Sequence, residues 1–408
     1  MKVTTSIRKF LHLSCAAALL QIAGAVSAAP GTLPKVPLFL TNSVQPNIFF
    51  ELDDSGSMEW EMMIADGTAG LDAQSGYPTE LDGFPRLYVL PVNSNGFDGY
   101  YGATQFPYTL PPVANDPNVW VAKSSAGNTL YYNPNITYLP WAGSDSSGNP
   151  LFGDANPTAA LIDPNNPALG TFDLTVNHTY DYWDGGDWVN DATVFPAEYY
   201  SWNDANGDGT LDAGDSGTLI QITPANAPFP SGRSYAEEIQ NFANWFQYYR
   251  KRSYVAKAAL GFVINDTDSV RMGLDLFNRA FQYQAASMSS PANKEDILDI
   301  LYNLPIFCGP GKGGMYPDEC PATPARTALN RLGNLFEDTL GGGLTTPILP
   351  ADQGGECQQN FSILMSDGYW NGGSPGVGNA DRDNSSVTDN GWDGDPNESI
   401  DGGNYEDA

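Results

Sequence analysis

Asp53-Asp54-Ser55-Gly56-Ser57 sets a carboxylate and two hydroxyls on alternate residues of a turn that Gly56 makes tight. A hard divalent cation wants oxygen ligands in near-octahedral array, with some positions left to water. Two serines in such a shell keep it only modestly negative, so a bound ion would still attract a carboxylate from outside. By itself the D-x-S-x-S spacing is also that of an ordinary Asp/Ser/Gly turn. Its meaning depends on what the fold brings beside it.

A second oxygen-rich loop runs from Asp204 to Asp215 and matches the twelve-residue EF-hand calcium loop. Asp204, Asn206 and Asp208 take positions one, three and five, Gly209 the sharp turn, and Asp212 position nine, with Thr210 offering its carbonyl. Asp215 stands where a bidentate glutamate is usual, which shortens the reach and should weaken binding or favour a smaller ion. No helical pattern precedes the loop, so a loop-only Ca2+ site with a structural purpose is expected. Asp381-x-Asp383 and Asp393-x-Asp395 are poorer matches and read as solvated acidic loop.

Other chemistry finds little to work with. The two histidines, His12 and His178, assemble neither a zinc site nor a Ser–His pair. Asp184 and Asp187 could in principle act as a glycosidase pair, but chance spacing in an acidic stretch explains them better. The expectation is a protein that is not an enzyme. The alternative is a secreted metal-dependent hydrolase, or a glycan-binding protein stacking sugars on Trp and Tyr faces.

The chain of 408 residues carries a formal charge of -30, which repels nucleic-acid phosphates and anionic lipid head groups. No nucleic-acid partner is expected. Lys2, Arg8 and Lys9, an apolar stretch from Leu11 to Ala25, and Val26-Ser27-Ala28 read as a secretory signal over residues 1–28. That stretch is too short for a stable anchor, and with no second long apolar run the mature chain is expected to have no membrane span. Of four cysteines, Cys15 leaves with the signal. Cys308 and Cys320, flanking a Gly-rich loop, are the expected disulfide, with Cys357 an alternative partner for either.

The elements that must position these loops follow from periodicity. Asn47 to Leu52 reads as a buried strand ending at the serine turn. From 67 to 231 the chain is rich in Gly, Pro, Asn, Asp and aromatics. Aromatics form 12% of the chain, and Trp120, Trp141, Trp183, Trp188 and Trp202 need something to pack against. A large insertion of turns and short β pieces such as Thr129-Leu130-Tyr131-Tyr132 is expected, not a linker. Phe242, Trp245, Phe246 and Tyr249 form a core-facing helical stripe, and that helix is expected to run on through Val255, Ala259 and Leu260. Val270 to Phe277 is the next strand, and Lys294 to Leu304 a helix with Ile297, Ile300 and Leu301 inward. Another helix starts at Pro324 with Ala328, Leu329, Leu332 and Leu335 on its apolar side. Phe361 to Met365 is a buried strand ending at Ser366-Asp367-Gly368. Residues 372–408 are an acidic Gly/Asn-rich tail.

This order is that of an α/β fold with a doubly wound, mostly parallel sheet. Ligands of such sheets bind at the carboxyl ends of the strands, and the Asp53 and Asp367 clusters would share that rim.

With those loops in that order, the chain resembles the von Willebrand factor A family, whose metal-ion-dependent adhesion site draws on three loops. Asp53-Asp54-Ser55-Gly56-Ser57-Met58 matches the first. Thr323-Pro324-Ala325-Arg326-Thr327-Ala328-Leu329 looks like the second, and Ile363-Leu364-Met365-Ser366-Asp367-Gly368 the third. The resemblance implies that Ser55 and Ser57 bind an Mg2+ or Mn2+ ion directly, and that Thr323 joins or leaves the shell with ligand state. Asp53 and Asp367 would bind directly or through water. Thr327, inside the helix, is the lesser alternative to Thr323. The A-type domain would occupy 29–66 and 232–371, incomplete at its C-terminal end, with 67–231 inserted after the first strand.

More narrowly, Asn241 to Arg252 and Cys357 to Asn371 look like the PilY family of type IV pilus tip-associated adhesin and assembly proteins. That resemblance implies an exported module that reaches the pilus tip, outer surface or medium through the periplasm. Its partners would be pilus subunits such as minor pilins, or a host-surface or matrix ligand. Family members carry a large C-terminal β-propeller, which the stretch to Ala408 does not contain.

Overall fold

The computed structural model describes residues 44–64, 71–72, 77–78, 88–90, 117–145, 147–183, 187–212, 214–279, 281–304, 323–368, 370 and 375. The expected signal segment, Cys308, Cys320, Asp184 and, apart from Pro375, the acidic tail lie outside them. From Gln45 onward the chain forms one compact unit, which holds every element.

Strand β1 (Asn47–Leu52) lies between β10 (Arg271–Leu276) and β12 (Asn360–Met365) and runs parallel to both. Strand β11 (Tyr283–Ser287) flanks β10 antiparallel, giving the order β11-β10-β1-β12. The mostly parallel sheet is thus as expected, while β11 was not foreseen. Because side chains alternate along a strand, Phe50 and Leu52 enter the main core, and Phe49 packs on the opposite face with Leu332 and Leu335. Near-continuous apolar character in β1 is what burial on both faces requires.

Helices α2 (Tyr235–Tyr248), α3 (Arg252–Asp266) and α4 (Pro291–Asn303) contribute to the main core, and α5 (Ala325–Phe336) covers the Phe49 face. Ser234 starts α2 with a full capping box to Glu237. The single helix expected from Phe242 through Leu260 is two. Arg250 turns inward at the break and is fully buried, its Nη1 donating to the Phe246 carbonyl at 2.8 Å, the acceptor a continuing helix would offer its own N–H. Leu329 is exposed, not apolar-side, and Ile300 is only half-buried. Phe361, Ile363 and Leu364 of β12 are also exposed, contrary to a buried strand, since β12 pairs only with β1 among the described strands.

Within 67–231 the described residues form helix α1 (Pro117–Ala122) and four small antiparallel pairs. These are β2 (Leu71–Asp72) with β3 (Tyr77–Pro78), β4 (Ala160–Leu161) with β5 (Thr171–Phe172), β6 (His178–Trp183) with β7 (Trp188–Val194), and β8 (Glu198–Asn203) with β9 (Ser216–Gln221). Thr129 to Tyr132 is turn and loop, not strand. Tyr131, Tyr132, Trp141 and Tyr199 join Phe242, Trp245 and Phe246 in one core, so the aromatic stripe faces inward as expected.

Asn241, Asn244 and Gln247 repeat every three residues on α2 and so share a face. Each captures insertion backbone: Tyr138 N to Asn241 Oδ1, Ala155 N to Asn244 Oδ1 and Leu161 N to Gln247 Oε1, all at 2.8 Å. Asn244 Nδ2 also donates to the Tyr138 carbonyl at 2.9 Å. Amide side chains thereby replace the backbone partners an irregular segment lacks.

The Phe49 face of the sheet carries two buried acids. Glu51 and Asp275 are register partners on adjacent strands, and both are fully buried. Arg331 from α5 pairs with Asp275 at 2.6 Å, and Ser362 donates to Glu51 at 3.4 Å. Desolvation first, and the Asp275 charge second, push the Glu51 carboxyl up to about 7.

Two outcomes follow from this packing. Asn244→Ala strands the Ala155 N–H and the Tyr138 carbonyl, and urea unfolding should show a loss of about 3 kcal/mol; a loss below about 1 kcal/mol would show the clamp to be dispensable. Glu51 binds its proton more tightly folded than unfolded, so its contribution is fully present below its ordinary value of 4.5 and is lost as pH rises through about 7. Glu51→Gln should therefore stabilise the protein by on the order of 2 kcal/mol at pH 8 and by little at pH 4, read from melting curves across that range.

Candidate metal centre at the sheet rim

The hydrogen bond from Asp53 N to the Met365 carbonyl (2.9 Å) extends the β1–β12 ladder past the strands and sets the two following turns side by side. After β1 the chain passes into a 3-10 turn at Gly56–Glu59. Ser55 N donates to Asp53 Oδ1 at 2.8 Å, and Ser366 Oγ donates to Asp53 Oδ2 at 2.7 Å. The Ser55 and Ser57 hydroxyls lie 3.2 Å apart, and Ser57 Oγ donates to Asp367 Oδ1 at 3.1 Å. Four of the five expected rim residues, Asp53, Ser55, Ser57 and Asp367, thus sit in one hydrogen-bonded cluster.

Thr323, the fifth, is buried at the start of α5, its carbonyl accepting from Ala325 N at 2.9 Å. Ala325 and Ala328 of α5 pack on Phe277, just beyond the C-terminal end of β10, so α5 begins near that end of the sheet. Thr327 is exposed within α5. Asp54 is turned to the β10 side, where Asn278 donates to it through N and Nδ2, both at 3.0 Å, and Arg279 Nε lies 3.5 Å away.

Burial is the main influence raising the Asp53 carboxyl above its usual range, against the opposing hydrogen bonds from Ser55 and Ser366. Its described partners are all neutral. A buried carboxylate so placed lacks compensating positive charge. With two serine hydroxyls and a second carboxylate beside it, the donor set is wholly hard oxygen and suits Mg2+ or Mn2+.

Two residues of the rim were not foreseen. Ser366 was visible only as the neighbour of Asp367. Arg252 pairs with Asp367 Oδ2, opposite the oxygen that Ser57 holds. Its signal was the run Arg250-Lys251-Arg252 in a chain with 18 basic and 48 acidic residues. A pocket of about 550 Å3 opens beside the rim, bounded by Met58, Arg252, Asp367 and the insertion residues Thr129, Ile136 and Tyr138. Residues of the segment 67–231 therefore border the rim.

The loop from Asp204 to Asp215 joins β8 to β9 and is exposed over most of its length. Asp204 accepts from Gly207 N (2.6 Å) and Gly209 N (2.8 Å), and both glycines have positive φ, 75° and 77°, which their lack of a Cβ permits. Asn206 Nδ2 donates to Asp208 and Asp212, each at 3.0 Å, while Thr210 N donates to Asp208 at 2.7 Å. Asp215 accepts from Ala205 N at 3.0 Å and from the Trp202 indole at 2.9 Å. The six expected residues share one loop, with Asn206 bridging its acids. Among the described residues no three His, Cys, Asp or Glu side chains are gathered as a metal-holding group. At the rim, serine hydroxyls join the two acids instead.

His178 stacks on Phe172 with ring centroids 4.0 Å apart, and its Nε2 meets the Asp173 carbonyl at 2.5 Å, a packing role. Asp187 is exposed. Trp141 is buried with its indole donating to the Tyr248 carbonyl at 2.8 Å. Cys357 is a free, exposed thiol. Among the described residues no helix is long and apolar enough to cross a membrane.

The chain is similar to type IV pilus biogenesis factor PilY1 of Pseudomonas aeruginosa. Identity is 25% over 95% of this chain for strain UCBPP-PA14, 26% over 93% for strain PAK, and 24% over 91% for strain PAO1. The chain spans 28% of the length of each of these curated relatives. No family model and no solved structure matches it.

The Trp202–Asp215 contact supplies a reporter for the acidic loop. Ca2+ titration should change Trp202 emission with a midpoint of roughly 0.1–1 mM, and Asp208→Ala should weaken that response at least ~10-fold. Trp202→Phe controls for the other tryptophans. Emission and melting temperature unmoved by about 10 mM Ca2+ would remove calcium from the loop.

Proposed function

We propose that this chain is an exported, metal-dependent adhesion and assembly module of a type IV pilus, not an enzyme. The observation that carries the reading is the meeting of Asp53, Ser55 and Ser57 with Asp367 at the carboxyl edge of the sheet, across 310 residues of sequence. The similarity to PilY1, running along more than nine-tenths of the chain, supplies the pilus context.

Asp53, Ser55, Ser57 and Asp367 would hold Mg2+ or Mn2+, with Thr323 contributing from α5. The bound ion would supply a Lewis-acidic position able to take a carboxylate of a partner. Everything else belongs to the protein's own residues. Gly56 and the 3-10 turn present the serines, the Asp53–Met365 bond fixes the spacing of the two turns, and the insertion bounds the adjoining pocket. A partner would be a minor pilin or another pilus subunit, or an acidic group on a host-surface or matrix ligand. Ca2+ in the loop from Asp204 to Asp215 would keep the β8–β9 hairpin ordered rather than bind the partner. A von Willebrand factor A-type domain, delivered through the periplasm to the pilus tip or cell surface, accommodates these roles.

Asp53→Ala, introduced into the full-length protein in its own host, should abolish cation-dependent adhesion or surface display of pili. The protein should meanwhile be exported at normal levels. Adhesion and piliation both at wild-type level in that strain would defeat the proposal.

A further inference from the structure

Arg252 is held by the segment that follows the serine turn. Its N–H donates to the Trp60 carbonyl at 3.1 Å, and its Nε donates to the Met62 carbonyl at 2.7 Å. Its guanidinium lies over the Trp60 ring, 4.8 Å from the centroid. With one edge and one face so occupied, Nη1 is aimed at Asp367 Oδ2 and pairs with it. The other Asp367 oxygen accepts from Ser57. Both side chains of the pair are largely buried, at 10% and 6% exposure, so water screens their interaction little.

Asp367 is therefore claimed from two sides: by the serine turn that would share a cation with it, and by a fixed positive charge. A guanidinium stays protonated at every physiological pH, so it leaves only by moving. The pocket beside it gives it somewhere to move, since Arg252 lines that space together with Met58, Tyr249, Val255 and Met365.

Resting on the rim reading above, we propose that Arg252 is a built-in competitor for Asp367 that sets the cation affinity of the rim. It is a positioning residue: it holds Asp367 beside Ser57 when no cation is bound and opposes a cation that must share or take that carboxylate. A divalent ion then binds less tightly than its oxygen ligands alone would allow. Occupancy is left responsive to the ion concentration outside the cell, and to an acidic partner that engages the released guanidinium.

The test is Mn2+ binding to the purified full chain, followed by electron paramagnetic resonance, with rim binding defined as the part lost in Asp53→Ala. That definition separates the rim from the acidic loop. Arg252→Gln should bind Mn2+ at the rim at least ~10-fold more tightly than wild type, as expected when a nearby like charge is removed. Arg252→Lys, which keeps the charge, should stay within about 3-fold of wild type. Melting curves of both variants establish that the fold is kept. Rim binding by Arg252→Gln alone, with wild type and Arg252→Lys silent, would be the extreme form of the expected result. Equal or weaker binding by a folded Arg252→Gln overturns the role of Arg252 while leaving the rim site standing. Absence of any Asp53-dependent binding in all three proteins overturns both.

Discussion

The buried ion pair between Arg250 and Glu61, with Nε and Oε1 3.2 Å apart, is the interaction on which the arrangement turns. Taking a guanidinium and a carboxylate out of water is costly unless every donor and acceptor is answered. Here Arg250 also donates to the Phe246 and Ile162 carbonyls, and Glu61 accepts from Val89 and Leu90 through their N–H groups. The pair thereby ties together the segment after the serine turn, the insertion and the end of α2. Loss of either member would leave an uncompensated charge at the junction of all three.

Arg250 reaches inward where the helix breaks, and the break also aims its neighbours. Lys251 meets Glu59 at 2.9 Å in the 3-10 turn, and Arg252 meets Asp367. Three consecutive cations thus fan out to three carboxylates. The serine turn is gripped through Glu59 and Glu61 on its far side, so its geometry does not rest on the short loop alone. An uninterrupted helix would place these residues about 100° apart around its axis and could not bring all three to the carboxylates they meet here.

The framework was legible in the sequence wherever one signal governed the outcome. Asn47 to Leu52 and the Ser366-Asp367-Gly368 turn were readable because apolar runs ended abruptly in polar clusters, and Pro324 marked the start of α5. The helix break was not legible, because no Pro or Gly marks it and the apolar period continues through it. Its cause is tertiary: Arg250 finds its partners in segments 88 and 189 residues away. Exposure of Phe361, Ile363 and Leu364 was likewise hidden, since an apolar strand reads alike at the edge and in the middle of a sheet. Of the site, Asp53, Ser55, Ser57 and Asp367 were readable by type and spacing. Arg252 was not, because an arginine after a helical stripe reads first as a solvated end.

The distribution of charge around the strand ends explains why the serine turn is the distinctive point of the rim. Five buried acids, Glu51, Asp53, Asp54, Asp275 and Asp367, cluster there and on the sheet face behind it. Asp275 has Arg331, Asp54 has Arg279, and Asp367 has Arg252, each cation arriving from a different element. Glu51, on the sheet face, meets Ser362, and at the strand ends Asp53 differs from its neighbours, with Ser55 N and Ser366 Oγ as its described partners. Hydrogen bonds from neutral donors offset part of the cost of burying a carboxylate, but not its charge. Substituting a lysine or arginine near Asp53 would have resolved this as it is resolved for Asp275, Asp54 and Asp367. The sequence instead places small hydroxyl side chains there, which answer the carboxylate by hydrogen bonds and bring no charge. On the metal-dependent reading proposed above, a small cation would supply the charge that these partners do not bring, and Asp53, more than Asp367, is the residue on which its binding at this rim should depend.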